Sequence, residues 1–500
     1  MEDVPGGWGP TLEDLERRRK DARAMGGSER LNRHRAAGKL NARERVGHLL
    51  DEGTFRELGT LVGDVPADAF VAGSGLIDGR PVMVGVEDFT VLAGTIAGGS
   101  NAKRFRLAEL ALQERIPLVM VLEGAGFRPT DRSHGRAPTD LLMQVRCSGL
   151  VPMVTAVCGA SAGHGALVAP ISDFTVMTET ASIFTAGPPV VREATGEDVD
   201  KLTLGGPNVA VASGLIHNVA PDDAAALDQV RHYLSFFPSS AWSYPPHPGP
   251  GAEPDRAPRP VPELLDVIPR DNRRIYDMRD VFDVVVDDGS WFEIQPGFGP
   301  SIIGALSHLG GHAIAIVANQ PNVLAGSIDA DAADKAAHLI TVADSFHLPI
   351  VFLSDNPGML PGTRSEQRGI LRSGARMFAA QTGATTIKVH VTFRKAYGFG
   401  SMVMGMSAFD HQTASFAFPG ATLGAMSAGA SSRSMHADAE AAESLRQAEL
   451  DASYNAAARL GFDELIDPRE TRDVLVNALD LALSRRQVPA GPVLRSAITP

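Results

Sequence analysis

Val91-Leu92-Ala93-Gly94-Thr95-Ile96 returns as Val323-Leu324-Ala325-Gly326-Ser327-Ile328, 232 positions further on. The register holds beyond the hexapeptide, since Pro117 pairs with Pro349, Glu123 with Asp355 and Gly126 with Gly358 at the same spacing. Upstream, Asp51-Glu52-Gly53-Thr54-Phe55-Arg56-Glu57-Leu58 answers to Asp287-Asp288-Gly289-Ser290-Trp291-Phe292-Glu293-Ile294 at a shift of 236. Chance explains one hexapeptide and not a series in a common register, so one unit is written twice. Length agrees, because 500 residues exceed what a single core serves. The Pro-rich stretch from Phe237 to Arg270, containing Tyr244-Pro245-Pro246-His247-Pro248-Gly249-Pro250, has the composition of a linker. It divides the chain into residues 1–236, a linker over 237–270, and residues 271–500.

Each copy reads the same way. A β-rich run, Pro81 to Val86 or Ala313 to Val317, is followed by a helix with apolar residues at helical spacing: Leu107, Leu110 and Ala111 in the first copy, Ala336, Leu339, Ile340 and Ala343 in the second. Short continuous apolar runs follow, Pro117 to Leu122 and Pro349 to Leu353, as expected of strands covered on both faces. A third strand comes next, Met153 to Val157 and Ile387 to Thr392.

Composition sets outer bounds. With 44% hydrophobic and 21% charged residues the chain can bury ordinary cores. No apolar run reaches the roughly 18 to 20 residues of a membrane span, and the charged opening stretch lacks the core of a signal peptide, so a cytoplasmic setting without a membrane partner is expected. A net charge of -13 makes nucleic acid a poor partner. Cys147 and Cys158 build neither a disulfide framework nor a zinc site, and no metal is expected.

Chemistry is expected just past the third strand, where Ala162-Gly163-His164-Gly165 and Tyr397-Gly398-Phe399-Gly400 stand 235 positions apart. Glycine admits a positive φ and a close ligand, which lets backbone N–H groups point at an incoming oxygen. Each turn is therefore a candidate oxyanion hole, a device worth about 3 to 4 kcal/mol per donor, and two of them suit two carbonyls. The alternative is a pair of plain strand-to-helix turns, made less attractive by their recurrence. His164 is conceivable as a general base, but supply of its backbone N–H alone is the preferred reading. Arg364, Glu366, Arg368 and Arg372 either hold an anionic group or form a solvated helix face. Ala97-Gly98-Gly99-Ser100-Asn101-Ala102-Lys103 lacks the ending of a P-loop, and neither a His-Glu-x-x-His helix nor a Gly-x-Ser-x-Gly elbow occurs.

Together with these, Gly38-Lys39-Leu40-Asn41-Ala42-Arg43-Glu44-Arg45-Val46, Glu87-Asp88-Phe89-Thr90-Val91, Gly187-Pro188-Pro189-Val190-Val191, Asn319-Gln320-Pro321, Pro357-Gly358-Met359-Leu360-Pro361-Gly362-Thr363, Arg394-Lys395-Ala396-Tyr397-Gly398 and Ile466-Asp467-Pro468-Arg469-Glu470-Thr471-Arg472 form a specific set. The chain resembles the carboxyltransferase β subunits of biotin-dependent acyl-CoA carboxylases, of propionyl-CoA and acetyl-CoA carboxylase type, over nearly its whole length. The resemblance implies an α/β fold of two tandem crotonase-like ββα-spiral domains. It implies that the first domain binds acyl-CoA and that the second receives carboxybiotin from a carrier. Homo-oligomers follow, dimers assembling to a hexamer, with active sites where opposite halves of two protomers meet. Gly163 and His164 would hold the thioester oxygen, Gly398 and Phe399 the biotin ureido carbonyl, and decarboxylated biotin would take the α-proton. Ala162, Gly126, Phe127, Arg128, Gly187, Pro188, Pro357, Gly358, Tyr397 and Met402 would line the substrate sites. No Met-Lys-Met biotinylation tripeptide occurs, so biotin and the ATP-dependent step are expected from a biotin carboxylase and biotin carrier α subunit.

Two departures bear on substrate size. Relatives with paired glycines in the loops differ from Gly163-His164 and Gly398-Phe399 here, and Glu123-Gly124-Ala125-Gly126-Phe127-Arg128 stands where relatives have Asp-Ser-Gly-Gly-Ala-Arg. The altered loops also leave room for a biotin-independent acyl-CoA decarboxylase or hydrolase on the same fold, or for a non-catalytic assembly subunit.

Overall fold

In the computed structural model, residues 7–131, 138–246, 259–406, 410–487, 489–494 and 498 are described. The chain forms two compact units, Met1–Leu234 with Ser496–Pro500, and Ser235–Arg495. The first carries β1 (Arg56–Leu58), β2 (Phe70–Ile77), β3 (Arg80–Glu87), β4 (Leu118–Gly124), β5 (Met153–Ala162), β6 (Phe174–Thr178), β7 (Ser182–Phe184) and β8 (Asn218–Ala220). The second carries β9 (Phe292–Ile294), β10 (Ile302–Leu309), β11 (His312–Asn319), β12 (Ile350–Asn356), β13 (Lys388–Tyr397), β14 (Ala414–Ala417), β15 (Thr422–Gly424) and β16 (Glu464–Leu465).

Among the described residues the sheets share one topology. The first runs β1-β2-β3-β4-β5-β6-β8 with β7 on β5, and the second β9-β10-β11-β12-β13-β14-β16 with β15 on β13. The opening hairpins are antiparallel and every later pairing is parallel. Parallel neighbours need crossovers, and the expected helices supply them: Gly98–Glu114 joins β3 to β4, and Ala330–Ser345 joins β11 to β12. These are two α/β units of one topology, in keeping with the tandem crotonase-like domains that the resemblance implies.

Burial explains the continuous apolar strands. Every residue of β4 and of β12 is buried. Leu118, Met120 and Leu122 alternate onto a core shared with Leu107, Ala108 and Ala111 of the crossover helix. In the second unit Val351 and Leu353, with Val389, Val391 and Phe393, pack on Val281 and Phe282 of helix Met278–Val285 and on Leu475 and Leu479 of helix Thr471–Ala482. Much of the stretch expected to be a linker is packed into this unit: Phe237 meets Phe346 edge-on at 5.7 Å, and Val261, Leu264 and Ile268 join its core. Residues 247–258, the middle of that stretch, lie outside the described residues. Among the described residues no helix is long and apolar enough to cross a membrane.

Candidate active site

β5 ends at Ala162 in extended backbone, and the chain turns at Gly163, φ 60°, into the short helix Gly163–Leu167. β13 ends at Tyr397, and Gly398, φ 54°, opens the helix Gly398–Val403. A left-handed backbone costs a side-chain-bearing residue about 1 to 2 kcal/mol, which accounts for glycine at both corners. The N–H groups of Gly163, His164, Gly398 and Phe399 fall in the first turn of their helices, where helix geometry provides no acceptor. β7 and β15 clamp the ends of the two long strands from the side, pairing Ala162 with Phe184 and Tyr397 with Gly424.

A second glycine approaches each bend. A Cβ added to Gly126, φ 84°, would stand 3.0 Å from the Ala162 carbonyl oxygen, and one on Gly358, φ 114°, 3.4 Å from that of Tyr397. Isolated parallel bridges fix both glycines, Ile96 with Phe127 and Ile328 with Met359. In the first, Ile96 N–H donates to Gly126 O at 2.8 Å and Arg128 N–H to Ile96 O at 2.7 Å; in the second, Ile328 N–H donates to Gly358 O at 3.1 Å and Leu360 N–H to Ile328 O at 2.8 Å. The hexapeptide repeat thus braces both bends. Pro357 and Gly358 are further held by Asn356, whose Oδ1 accepts from Gly358 N–H at 3.0 Å.

The other expected residues fall into place unevenly. Phe127 is 55% exposed and Met402, on the helix after the second bend, 40%. Phe399 is half-buried, its ring 5.5 Å from that of Phe378. Gly187 and Pro188 open the helix Pro188–Thr195, just beyond Thr185, the residue whose carbonyl faces Gly163. The Tyr397 hydroxyl donates to Glu449, which also accepts from Ala428 N–H at 2.9 Å. The His164 ring bonds through Nε2 to Asp140, a contact between elements that sequence spacing does not reveal.

Behind each bend lies a buried carboxylate from the repeat. Glu123 faces Lys39 at 2.6 Å and Arg45 at 2.6 Å; burial raises its pKa, but these cations outweigh it and hold the group below its ordinary value. Asp355 faces Arg394 at 2.7 Å and Tyr276 Oη at 3.0 Å, and there burial wins over Arg394 and Lys395 and raises the pKa. The partners come from different places because Arg394 occupies the strand position of Gly159, whose absent side chain makes room for that of Glu123.

The two units differ most in their cavities. In the first, a cavity of about 710 Å³ beside Leu92 and Ala93 is lined by Arg30, Arg33, His34, Lys39 and Arg128, with Glu123 as its acid. In the second, a cavity of about 430 Å³ beside Leu324 carries Asp329 and Asp331 against Arg364 and Arg368, and Arg368 pairs with Asp331 at 3.2 Å. Arg364 and Arg368 therefore line a mixed-charge cavity, whereas the strongly basic one was missed. Its signal was present: helix Ser28–Ala36 repeats Arg30, Arg33 and His34 at helical spacing and buries nothing. Both cysteines are buried thiols pushed up to about 12 by burial. Among the described residues no group of three or more His, Cys, Asp or Glu could hold a metal ion.

A strand, a glycine bend and a short helix recur in each of the two units, and the carboxyl transferase domain model matches residues 33–492. The chain belongs to the carboxyl transferase family, which bears out the resemblance read from its motifs. It is 35% identical to the methylmalonyl-CoA carboxyltransferase 12S subunit of Propionibacterium freudenreichii subsp. shermanii, covering 95% of each chain. It is 33% identical to the methylmalonyl-CoA decarboxylase subunit alpha of Veillonella parvula, covering 95% of this chain and 96% of that one. A crystal structure of the transcarboxylase 12S hexamer, with methylmalonyl-CoA and methylmalonic acid bound, superposes with a TM-score of 0.90 at 33% identity, covering 99% of this chain and 100% of the other.

Proposed function

We propose that this chain transfers a carboxyl group between carboxybiotin, borne by a separate carrier subunit, and the α-carbon of an acyl-CoA. The observation that carries the reading is the unequal charge of the twin cavities. Coenzyme A brings several phosphate charges, and the first unit offers Arg30, Arg33, Lys39 and Arg128 where the second offers acids and bases in balance. The acyl-CoA thus belongs to residues 1–236 and the carboxybiotin to residues 271–500.

Seated in the basic cavity, the substrate extends its acyl end past Gly126 and Phe127 to the first bend. There the N–H groups of Gly163 and His164 donate to the thioester oxygen. Charge grows on that oxygen as the α-proton leaves, and preorganised donors favour the charged state by about 3 to 4 kcal/mol each. Ala162 and the helix opening at Gly187 and Pro188 wall the acyl group. At the second bend the N–H groups of Gly398 and Phe399 polarise a ureido carbonyl, with Pro357, Gly358, Tyr397 and Met402 around it. Bound carboxybiotin supplies the carboxyl group and, once emptied, a base. The half-sites serve one reaction when opposite units of two protomers meet, which makes dimers, and a hexamer built of them, the working form. A cytoplasmic setting suits two buried thiols that form no disulfide.

The test is fixation of labelled bicarbonate by this chain with ATP, a cognate biotin carboxylase and carrier subunit, and a panel of acyl-CoA esters. Label is expected on at least one malonyl-type product; no fixation across the panel would refute the reading.

A further inference from the structure

We infer that His164 places a side-chain acid–base group at the first bend and gives the chain an activity of its own, exchange of the α-proton of an acyl-CoA with solvent in the absence of any biotin carrier. The inference rests on the proposal that this bend holds the thioester oxygen, and it reaches beyond it, since the transfer reaction draws its base from biotin.

The geometry is that of an oriented imidazole. His164 Nε2 is bonded to Asp140 Oδ1, while Asp140 Oδ2 accepts from Arg104 Nε at 2.6 Å and from Gln144 Nε2 at 3.0 Å. Arg104 is fixed in turn by Glu87 at 2.9 Å. Asp140 is fully buried, whereas the His164 side chain is 28% exposed, so the pair runs from the interior out to the bend. Burial raises the pKa of Asp140, but Arg104 and His164 outweigh burial and hold the group well below the usual carboxylate range. An ionised carboxylate only accepts, so Nε2–H donates to Asp140, and in the neutral tautomer that makes this bond the lone pair is on Nδ1. A carboxylate that fixes the tautomer and steadies the imidazolium is the arrangement that acid–base histidines use. Ring and amide belong to one residue, so the acid–base group and the proposed oxyanion donor stand at the same bend. The second unit has none of this, because Phe399 stands in the place of His164 and Ala336 in that of Arg104.

The step balances within the protein. The Cα–H bond breaks, its proton passes to Nδ1, and its electron pair moves into the enolate whose oxygen is held by the Gly163 and His164 amides. The imidazolium exchanges its proton with water and returns a solvent proton to Cα. No oxidant, metal or second substrate takes part. Asp140 touches no substrate and is a positioning residue.

The experiment uses the full chain alone with acetyl-CoA and propionyl-CoA in D₂O, following deuterium at Cα by mass spectrometry, beside the carrier-dependent carboxylation assay. Exchange faster than in buffer is expected. His164→Ala keeps the backbone donor and is expected to slow exchange by about 10²-fold or more, and by a larger factor than it slows carboxylation. Asp140→Asn, which alters the tautomer but preserves size, is expected to slow exchange as well, with thermal melting reporting whether the variant is folded. Exchange no faster than in buffer, with carboxylation intact, would overturn this inference and leave the transfer reaction standing. Exchange by His164→Ala at the wild-type rate would also overturn it. Loss of both activities in the wild-type chain would overturn the proposed function with it.

Discussion

Alanine at the two corner glycines separates backbone strain from steric exclusion. At Gly163, φ 60°, a Cβ would lie 3.5 Å from its nearest neighbour, Thr185 O, so Gly163→Ala suffers only the left-handed penalty, about 1 kcal/mol. At Gly398, φ 54°, a Cβ would lie 2.9 Å from Ala425 O, a backbone atom that can retreat only by moving the turn after β15. Gly398→Ala therefore adds a clash to the same strain, about 2 to 3 kcal/mol altogether. For units of this size 1 kcal/mol corresponds to about 2 to 4 °C, so the melting midpoint of Gly398→Ala is expected to fall about twice as far as that of Gly163→Ala. In the proposed mechanism both changes also tilt a peptide plane that aims an oxyanion donor, and losing one such donor costs about 10²- to 10³-fold in turnover. Thermal scanning paired with the bicarbonate assay reads both effects. Equal melting shifts would contradict the local geometry, and wild-type turnover in both folded variants would contradict the role given to the bends.

Reversing charge in the basic cavity by Arg30→Glu is expected to raise the Kd for coenzyme A about tenfold, with the difference shrinking as salt increases; titration calorimetry at two ionic strengths checks it. Arg394→Met leaves Asp355 buried without its closest cation and is expected to destabilise the second unit by about 3 to 5 kcal/mol, measurable by denaturant unfolding. The units should respond to pH with opposite signs. Burial raises Asp173 to about 7, so the folded first unit binds more protons than the unfolded chain between about pH 4 and 7 and loses stability as pH rises through that window, a loss that Asp173→Asn is expected to remove. Burial lowers His390 in the second unit to about 4, so the unfolded chain binds more protons below pH 6.5 and stability is lost as pH falls toward 4, a trend that His390→Gln is expected to flatten.

The parts of the fold that are periodic in sequence were legible there. Apolar strands led by Pro117 and Pro349, helical spacing around Leu107 and Leu339, and the repeated hexapeptide all reappear in register, because local pattern and burial agree in each of them. The glycine bends were legible for the same reason: a turn that needs positive φ names its residue. What escaped depends on residues distant in sequence. The basic cavity joins residues 30–39 to residues 89–95 and to Arg128, and His164 finds Asp140 only because the helix Asp140–Cys147 lies beside the bend. The neutralisation of Glu123 by Arg45 was equally invisible, since it depends on Gly159 leaving the space that Arg394 fills in the other unit. Even so, the basic spacing on helix Ser28–Ala36 was a sign that could have been read.

In the proposed mechanism backbone N–H groups at the first bend polarise a thioester carbonyl. Infrared difference spectra of acyl-CoA labelled with ¹³C at the carbonyl test it directly, since hydrogen bonds from Gly163 and His164 must weaken that bond. The labelled band is expected at lower frequency bound than free, with the shift retained in His164→Ala and reduced in His164→Pro, which lacks the N–H. A band that stays at its solution frequency in saturated wild-type protein would contradict the claim.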